Sequence, residues 1–122
     1  MARIIVAEDE PDIRDIIDRA LSAAGHRVTT AADGAAALEV MAHQKFDLLL
    51  TDIVMPIMDG VALALNVASA HPDTRILMMT GYADQRDRAH NLDVLIHDIV
   101  LKPFSVEEII LKVEEALNAS KP

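Results

Sequence analysis

Phe46-Asp47-Leu48-Leu49-Leu50-Thr51-Asp52-Ile53-Val54-Met55-Pro56-Ile57-Met58-Asp59-Gly60 runs a short apolar segment straight into a carboxylate and then into a loop of turn-forming residues. A nearly continuous apolar run of this length is the pattern of a strand in a parallel sheet covered on both faces. Such sheets bind ligands beyond the carboxyl ends of their strands, so Asp52 stands where chemistry is placed. Three other segments end in the same way. Glu8 and Asp9 follow Ile4-Ile5-Val6-Ala7, Thr80 follows Ile76-Leu77-Met78-Met79, and Lys102 follows Ile99-Val100-Leu101. Carboxylates, a hydroxyl and an amine are therefore expected to converge on one pocket.

Outward from that run, strands are predicted at Arg3 to Ala7, Arg27 to Ala31, Asp47 to Thr51, Arg75 to Thr80 and Ile96 to Leu101. Helical segments alternate with them. Pro11 suits a first helical turn, and Ile13, Ile16, Ile17, Ala20, Leu21 and Ala24 form an apolar stripe that ends at Gly25. Asp33 caps a second helix containing Ala36, Ala37, Val40 and Met41. A third runs from Val61 to Ala70 and is stopped by Pro72, and a less regular fourth covers Asp84 to Leu92. The last begins at Ser105, where Ser105 and Glu108 form a capping-box pair ahead of Ile109, Ile110, Val113 and Leu117. Apolar residues between Ala62 and Ala70 or between Val94 and Ile96 read equally as core or as an interface. Five βα units in series predict an α/β fold, a doubly wound five-stranded parallel sheet with helices on both faces and right-handed crossovers. No linker or repeat interrupts residues 1–122, and the tail Asn118 to Pro122 follows the last helix directly, so one domain with no output domain is expected.

Composition narrows the function classes. The 122 residues are 52% apolar with few aromatics, which suits one domain with an aliphatic core. With 11 basic and 20 acidic residues the net charge is −9, which argues against affinity for nucleic acid phosphates or anionic lipid. The chain has no cysteine, so it carries neither a disulfide framework nor a thiolate metal site, and it suits a reducing cytosol. No apolar run approaches the roughly 18 residues that a membrane span needs. A soluble, cytoplasmic protein without a membrane partner is expected.

Glu8, Asp9 and Asp52 brought to one sheet edge would raise one another's proton affinity unless a cation intervened. Oxygen-only ligands favour a hard divalent ion, Mg²⁺ rather than zinc. His26, His43, His71, His90 and His97 are scattered without a ligand-type spacing and read as surface residues. A carboxylate beside Mg²⁺ can act as a nucleophile toward phosphorus and form an aspartyl phosphate. Lys102 and the Thr80 hydroxyl would then hold phosphoryl oxygens. Any one of these residues alone reads more simply as a cap, a turn or a solvated charge, and it is the set on consecutive strand ends that points to function.

The set Glu8-Asp9, Asp52-x-x-Met55-Pro56-x-Met58-Asp59-Gly60, Thr80-Gly81 and Lys102-Pro103-Phe104 resembles the response-regulator receiver domains of two-component signalling, from Arg3 to about Leu117. The resemblance implies the flavodoxin-like (βα)5 receiver fold, with Asp52 as phospho-acceptor and Asp9 and Asp52 as direct Mg²⁺ ligands. It implies the backbone carbonyl of Val54 as a further ligand and Glu8 acting through a water. Thr80 would be the switch hydroxyl, Lys102 the phosphate-pairing amine, and the Lys102-Pro103 bond cis. The chain departs from the family where a switch aromatic normally stands, three residues before the lysine. That place is Ile99, and nearby Tyr82 is the candidate substitute. The implied partners are a histidine kinase or histidine phosphotransfer protein and an output protein, with the chain a monomer or weak dimer. Val6-Ala7-Glu8-Asp9 and Met79-Thr80-Gly81-Tyr82-Ala83 look most like stand-alone alphaproteobacterial receivers, for which the output partner would be the ClpX protease component. A motor-binding or phosphate-shuttling receiver is the alternative. A phosphatase of the haloacid dehalogenase type also uses an aspartyl nucleophile, but it normally carries a second Asp two residues on, and here that place is Val54.

Overall fold

A computed structural model describes residues 1–81 and 96–119. The candidate helix at 84–92, Tyr82 and the tail residues 120–122 lie outside the described residues. In chain order the elements are β1 (Arg3–Ala7), α1 (Pro11–Ala23), β2 (Arg27–Ala31), α2 (Gly34–Met41), β3 (Leu48–Asp52), α3 (Gly60–Ala70), β4 (Arg75–Thr80), β5 (Asp98–Leu101) and α4 (Val106–Asn118). The strands form one parallel sheet in the order β2-β1-β3-β4-β5, the flavodoxin-like order.

Period-two alternation divides each central strand between two cores. Ile5, Leu49, Ile76 and Met78 face α2 and α3 through Ala37, Met41, Leu63, Ala64 and Val67. Ile4, Val6, Leu50, Leu77, Met79 and Val100 face α1 and α4 through Ile17, Leu21, Ile109 and Val113. Both faces of the sheet are thus covered, which is why these strands read as unbroken apolar runs rather than as alternating ones. The helix starts follow local chemistry. Asp33 accepts from Ala36 N–H at 2.8 Å, Asp59 from Ala62 N–H at 2.9 Å, and Ser105 Oγ from Glu108 N–H at 3.0 Å, each satisfying a donor the first turn leaves free.

Three local expectations are corrected. β3 begins at Leu48 and takes in Asp52, because Asp52 pairs with Met79 in the ladder. β5 begins at Asp98, two residues later than expected, and its side chain accepts the Ile99 N–H at 2.8 Å. His26 is not a surface residue. Its side chain is 7% exposed, its Nδ1 accepts from Ala2 N–H at 3.1 Å, and its Nε2 lies 2.7 Å from Glu114 Oε1, tying the start of the chain to α4. Of the segment read as core or interface, Leu63, Ala64 and Val67 are buried and Leu65 is exposed. Among the described residues, no helix is long and apolar enough to cross a membrane.

Candidate functional site

The chain reverses its direction of strand addition at β1. β2 lies on one side of β1 and β3 on the other, so the carboxyl ends of β1 and β3 border the crevice where this topology places ligands. Glu8 and Asp9 leave β1 there and Asp52 ends β3. Glu8 is fully buried and Asp52 nearly so, and one oxygen from each of Glu8, Asp9 and Asp52 lies within 4.8 Å of the others. Lys102 follows β5 directly, its N–H donating to the Thr80 carbonyl at 2.8 Å. From that anchor its Nζ reaches Glu8 Oε1 at 2.7 Å and Asp52 Oδ2 at 2.8 Å. Lys102 thus places one positive charge between two of the three carboxylates.

Burial dominates the electrostatics of Glu8. Loss of solvent pushes its carboxyl up to about 7, with the Asp52 charge adding to the rise and the hydrogen bonds from Lys102 and Glu10 N–H opposing it. Burial alone would lower the Lys102 amine, but its hydrogen bonds to Asp52 and Glu8 outweigh this and hold its proton above the ordinary lysine value. Three carboxylates against one ammonium leave the fully ionised cluster with excess negative charge, and all the donor atoms offered are oxygen. Those are the properties of a site for a hard divalent cation of the Mg²⁺ class.

Tyr82 lies outside the described residues, and the other predicted residues stand as follows. Thr80 is fully buried at the end of β4, one position beyond the Met79 that pairs with Asp52. Val54 is 43% exposed, and its N–H stands 3.4 Å from Asp52 Oδ1. Ile99 is half-buried opposite Met78 and packs against the core under α2 and α3, on the strand next to the site rather than in it. The Lys102–Pro103 peptide is cis. A cavity of about 580 Å³ opens over Asp9, Asp52 and Lys102, and its apolar wall is Ile13, Ile16, Val54 and Phe104.

Three contributors escaped sequence reasoning. Ile13 and Ile16 belong to the apolar stripe of α1 and both line the cavity; Ile13 also packs against the core as read, whereas Ile16 is 51% exposed. The stripe was wide enough to signal a second, outward-facing row, since Ile17, Ala20 and Leu21 supply the buried line. Arg14, which donates from Nη1 to the Glu8 carbonyl at 3.0 Å, carried no signal in sequence.

Residues 4–114 match the profile of the family described as "Response regulator receiver domain". The chain is similar to the response regulator receiver protein CpdR of Brucella abortus, with 38% identity over 98% of this chain and 100% of that protein. It is 33% identical to the response regulator MprA of Mycobacterium leprae over 98% of this chain, but spans only 53% of MprA, about half its length. Among solved structures, the response regulator TrrA of Thermotoga maritima in complex with Mg²⁺-BeF superposes with a TM-score of 0.86 at 30% identity, covering 95% of this chain and 99% of that one. A profile match over most of the chain, joined by likeness to CpdR along its full length, establishes that this protein belongs to the family of response regulator receiver domains.

Proposed function

We propose that the protein is a stand-alone response regulator that accepts a phosphoryl group on Asp52 and signals through a phosphorylation-dependent contact with another protein. The observation that carries this reading is Lys102 Nζ bridging Glu8 and Asp52 beside Asp9, at the switch point of the sheet. Asp9, Asp52 and the Val54 carbonyl would hold Mg²⁺, with Glu8 acting through a water. The Mg²⁺-BeF complex of TrrA supports that choice of ion. When bound, the ion offsets the charge that gathers on the phosphoryl oxygens.

The chain's own residues do the rest. An Asp52 oxygen attacks phosphorus, and the bond from phosphorus to the donor breaks. The donor is the phosphohistidine of a histidine kinase or histidine phosphotransfer protein, or a small acyl phosphate. The electron pair leaves with the imidazole, which takes up a proton, or with the carboxylate of the acyl donor. Lys102, no longer shared between two carboxylates, pairs with a phosphoryl oxygen, and the Thr80 hydroxyl hydrogen-bonds another. The wall of Ile13, Ile16, Val54 and Phe104 keeps bulk water from the acyl phosphate. Ile99 has no polar tip to move between core and solvent, so the output signal runs through Thr80 and Tyr82.

Likeness to CpdR over its whole length supports the finer reading, a stand-alone receiver that controls ClpXP proteolysis through ClpX. Intact mass after incubation with Mg²⁺ and acetyl phosphate tests the site. One phosphoryl adduct is expected in the native chain and none in Asp52→Ala or without Mg²⁺. An adduct that persists in Asp52→Ala would overturn the assignment. Purified ClpX tests the output, with binding that changes on phosphorylation as the expected result and a motor-binding or phosphate-shuttling role favoured by its absence.

A further inference from the structure

Arg14 lies one turn into α1, where its backbone N–H closes the helix on the Glu10 carbonyl at 3.0 Å. Its side chain runs back toward the site, and Nη1 donates to the backbone carbonyl of Glu8 at 3.0 Å. That oxygen belongs to the peptide joining Glu8 to Asp9. Every other polar group of Glu8 is already held. Its N–H donates to the Ala31 carbonyl at 3.0 Å, Oε1 accepts from Lys102 at 2.7 Å, and Oε2 accepts from Glu10 N–H at 3.2 Å.

Asp9 is held differently. Among the described residues its carboxylate takes part in no hydrogen bond or ion pair, although one of its oxygens lies within 4.8 Å of oxygens of Glu8 and Asp52. The aim of that carboxylate is therefore set by the backbone that carries it, and the plane of the Glu8–Asp9 peptide is the part of that backbone which Arg14 grips. We infer that Arg14 is a positioning residue for the divalent-cation site, fixing the Glu8–Asp9 peptide so that the Asp9 carboxylate stands ready beside Asp52. This inference rests on the Mg²⁺ site of the proposed function.

Geometry and charge make opposite demands on Arg14, which makes the inference decidable. A guanidinium near an acidic cluster repels an incoming dication, so removing it would tighten Mg²⁺ binding if charge were its only contribution. If it holds the ligand in place, removal loosens binding, and outer partners of metal ligands typically account for roughly 10- to 100-fold in affinity. A role in the stability of α1 alone would lower the melting temperature in Mg²⁺-free buffer and leave the Mg²⁺ Kd of the folded protein unchanged.

The test is a MgCl₂ titration of the full ¹⁵N-labelled chain, followed at the Asp9 amide signal, with Asp9→Asn as the reference for loss of a ligand. Arg14→Met is expected to raise the Mg²⁺ Kd about tenfold, and the milder Arg14→Gln to fall between it and the native chain. A Kd no higher than the native value in either folded variant overturns the inference while leaving the proposed site standing. A native chain with no saturable Mg²⁺ response overturns the site and the inference together.

Discussion

Ile57 is held at φ 69°, in the left-handed region, and the Met58 N–H bonds back to the Pro56 carbonyl at 2.7 Å, so the turn is a tight three-residue γ-turn centred on a β-branched side chain. Positive φ costs a β-branched residue about 1–2 kcal/mol. Nothing in the core offsets this, since the side chain is 84% exposed. Glycine takes the conformation freely but loses about 0.5–1 kcal/mol more chain entropy on folding. Ile57→Gly is thus expected to stabilise the protein by up to about 1 kcal/mol. Calorimetry should show a higher Tm, and a lower one would mean that the turn draws stability from the isoleucine side chain. The sequence marks this stretch as a loop through Pro56 and Gly60, but not which residue takes the left-handed conformation. Gly60, the nearest glycine, is used for something else.

That other use belongs to the junction of β3 and α3. A Cβ on Gly60 would stand 2.0 Å from the Asp52 carbonyl oxygen and 2.9 Å from Ile53 Cα, both backbone atoms that cannot turn aside. The Gly60 N–H also donates to the Ile53 carbonyl at 2.8 Å, so the first residue of α3 rests directly on the end of β3. Helix and the strand that ends in Asp52 are thereby placed by one contact. Gly60→Ala must push α3 away from the backbone of Asp52, at a cost of about 2–3 kcal/mol, in the upper range for overpacked sites. Urea unfolding should show a lower midpoint, and acetyl phosphate labelling of Asp52 should slow in the same variant. A midpoint equal to the native one would show that the junction yields more easily than its geometry implies. The sequence places the start of this helix at Val61 without marking Asp59 as its cap, and the close approach beneath Gly60 depends on where β3 ends in space.

Across the whole molecule, the sheet edge at β5 is tied to α4 by Lys112, whose Nζ lies 2.9 Å from Asp98 Oδ2. Burial would raise the Asp98 carboxyl, but the hydrogen bonds from Lys112 and the Ile99 N–H, with the nearby positive charge, outweigh it and hold the group below its ordinary value of 3.8. A carboxyl depressed on folding contributes stability above its unfolded value and loses it as pH falls through the folded one. Lys112 is raised above 10.5, chiefly by its hydrogen bond to Asp98, so its contribution is present below that pH and lost above it. The pair is partly exposed and solvent screening limits it to about 0.5 kcal/mol. Lys112→Met should therefore melt slightly below the native protein at neutral pH and converge with it in acid below the ordinary Asp value. A gap that persists in acid would assign the loss to packing of the lysine stem.

What the sequence determined by itself was the identity and extent of the local elements. Apolar runs and periodic stripes identified the described strands and helices to within two residues at most ends, because hydrophobic period, caps and stops act over a few neighbours. Polar residues placed just past apolar runs named Glu8, Asp9, Asp52, Thr80 and Lys102 for the same reason. Tertiary structure alone decided how these meet. Lys102 reaches Glu8 across 94 positions and Asp52 across 50, a convergence that exists only once β1 is inserted between β2 and β3. The rise of Glu8 to about 7, the burial of His26 and the grip of Arg14 on the Glu8 carbonyl are likewise consequences of packing. Solvent exclusion and distance between remote residues set them, and neither quantity is written in the order of the residues.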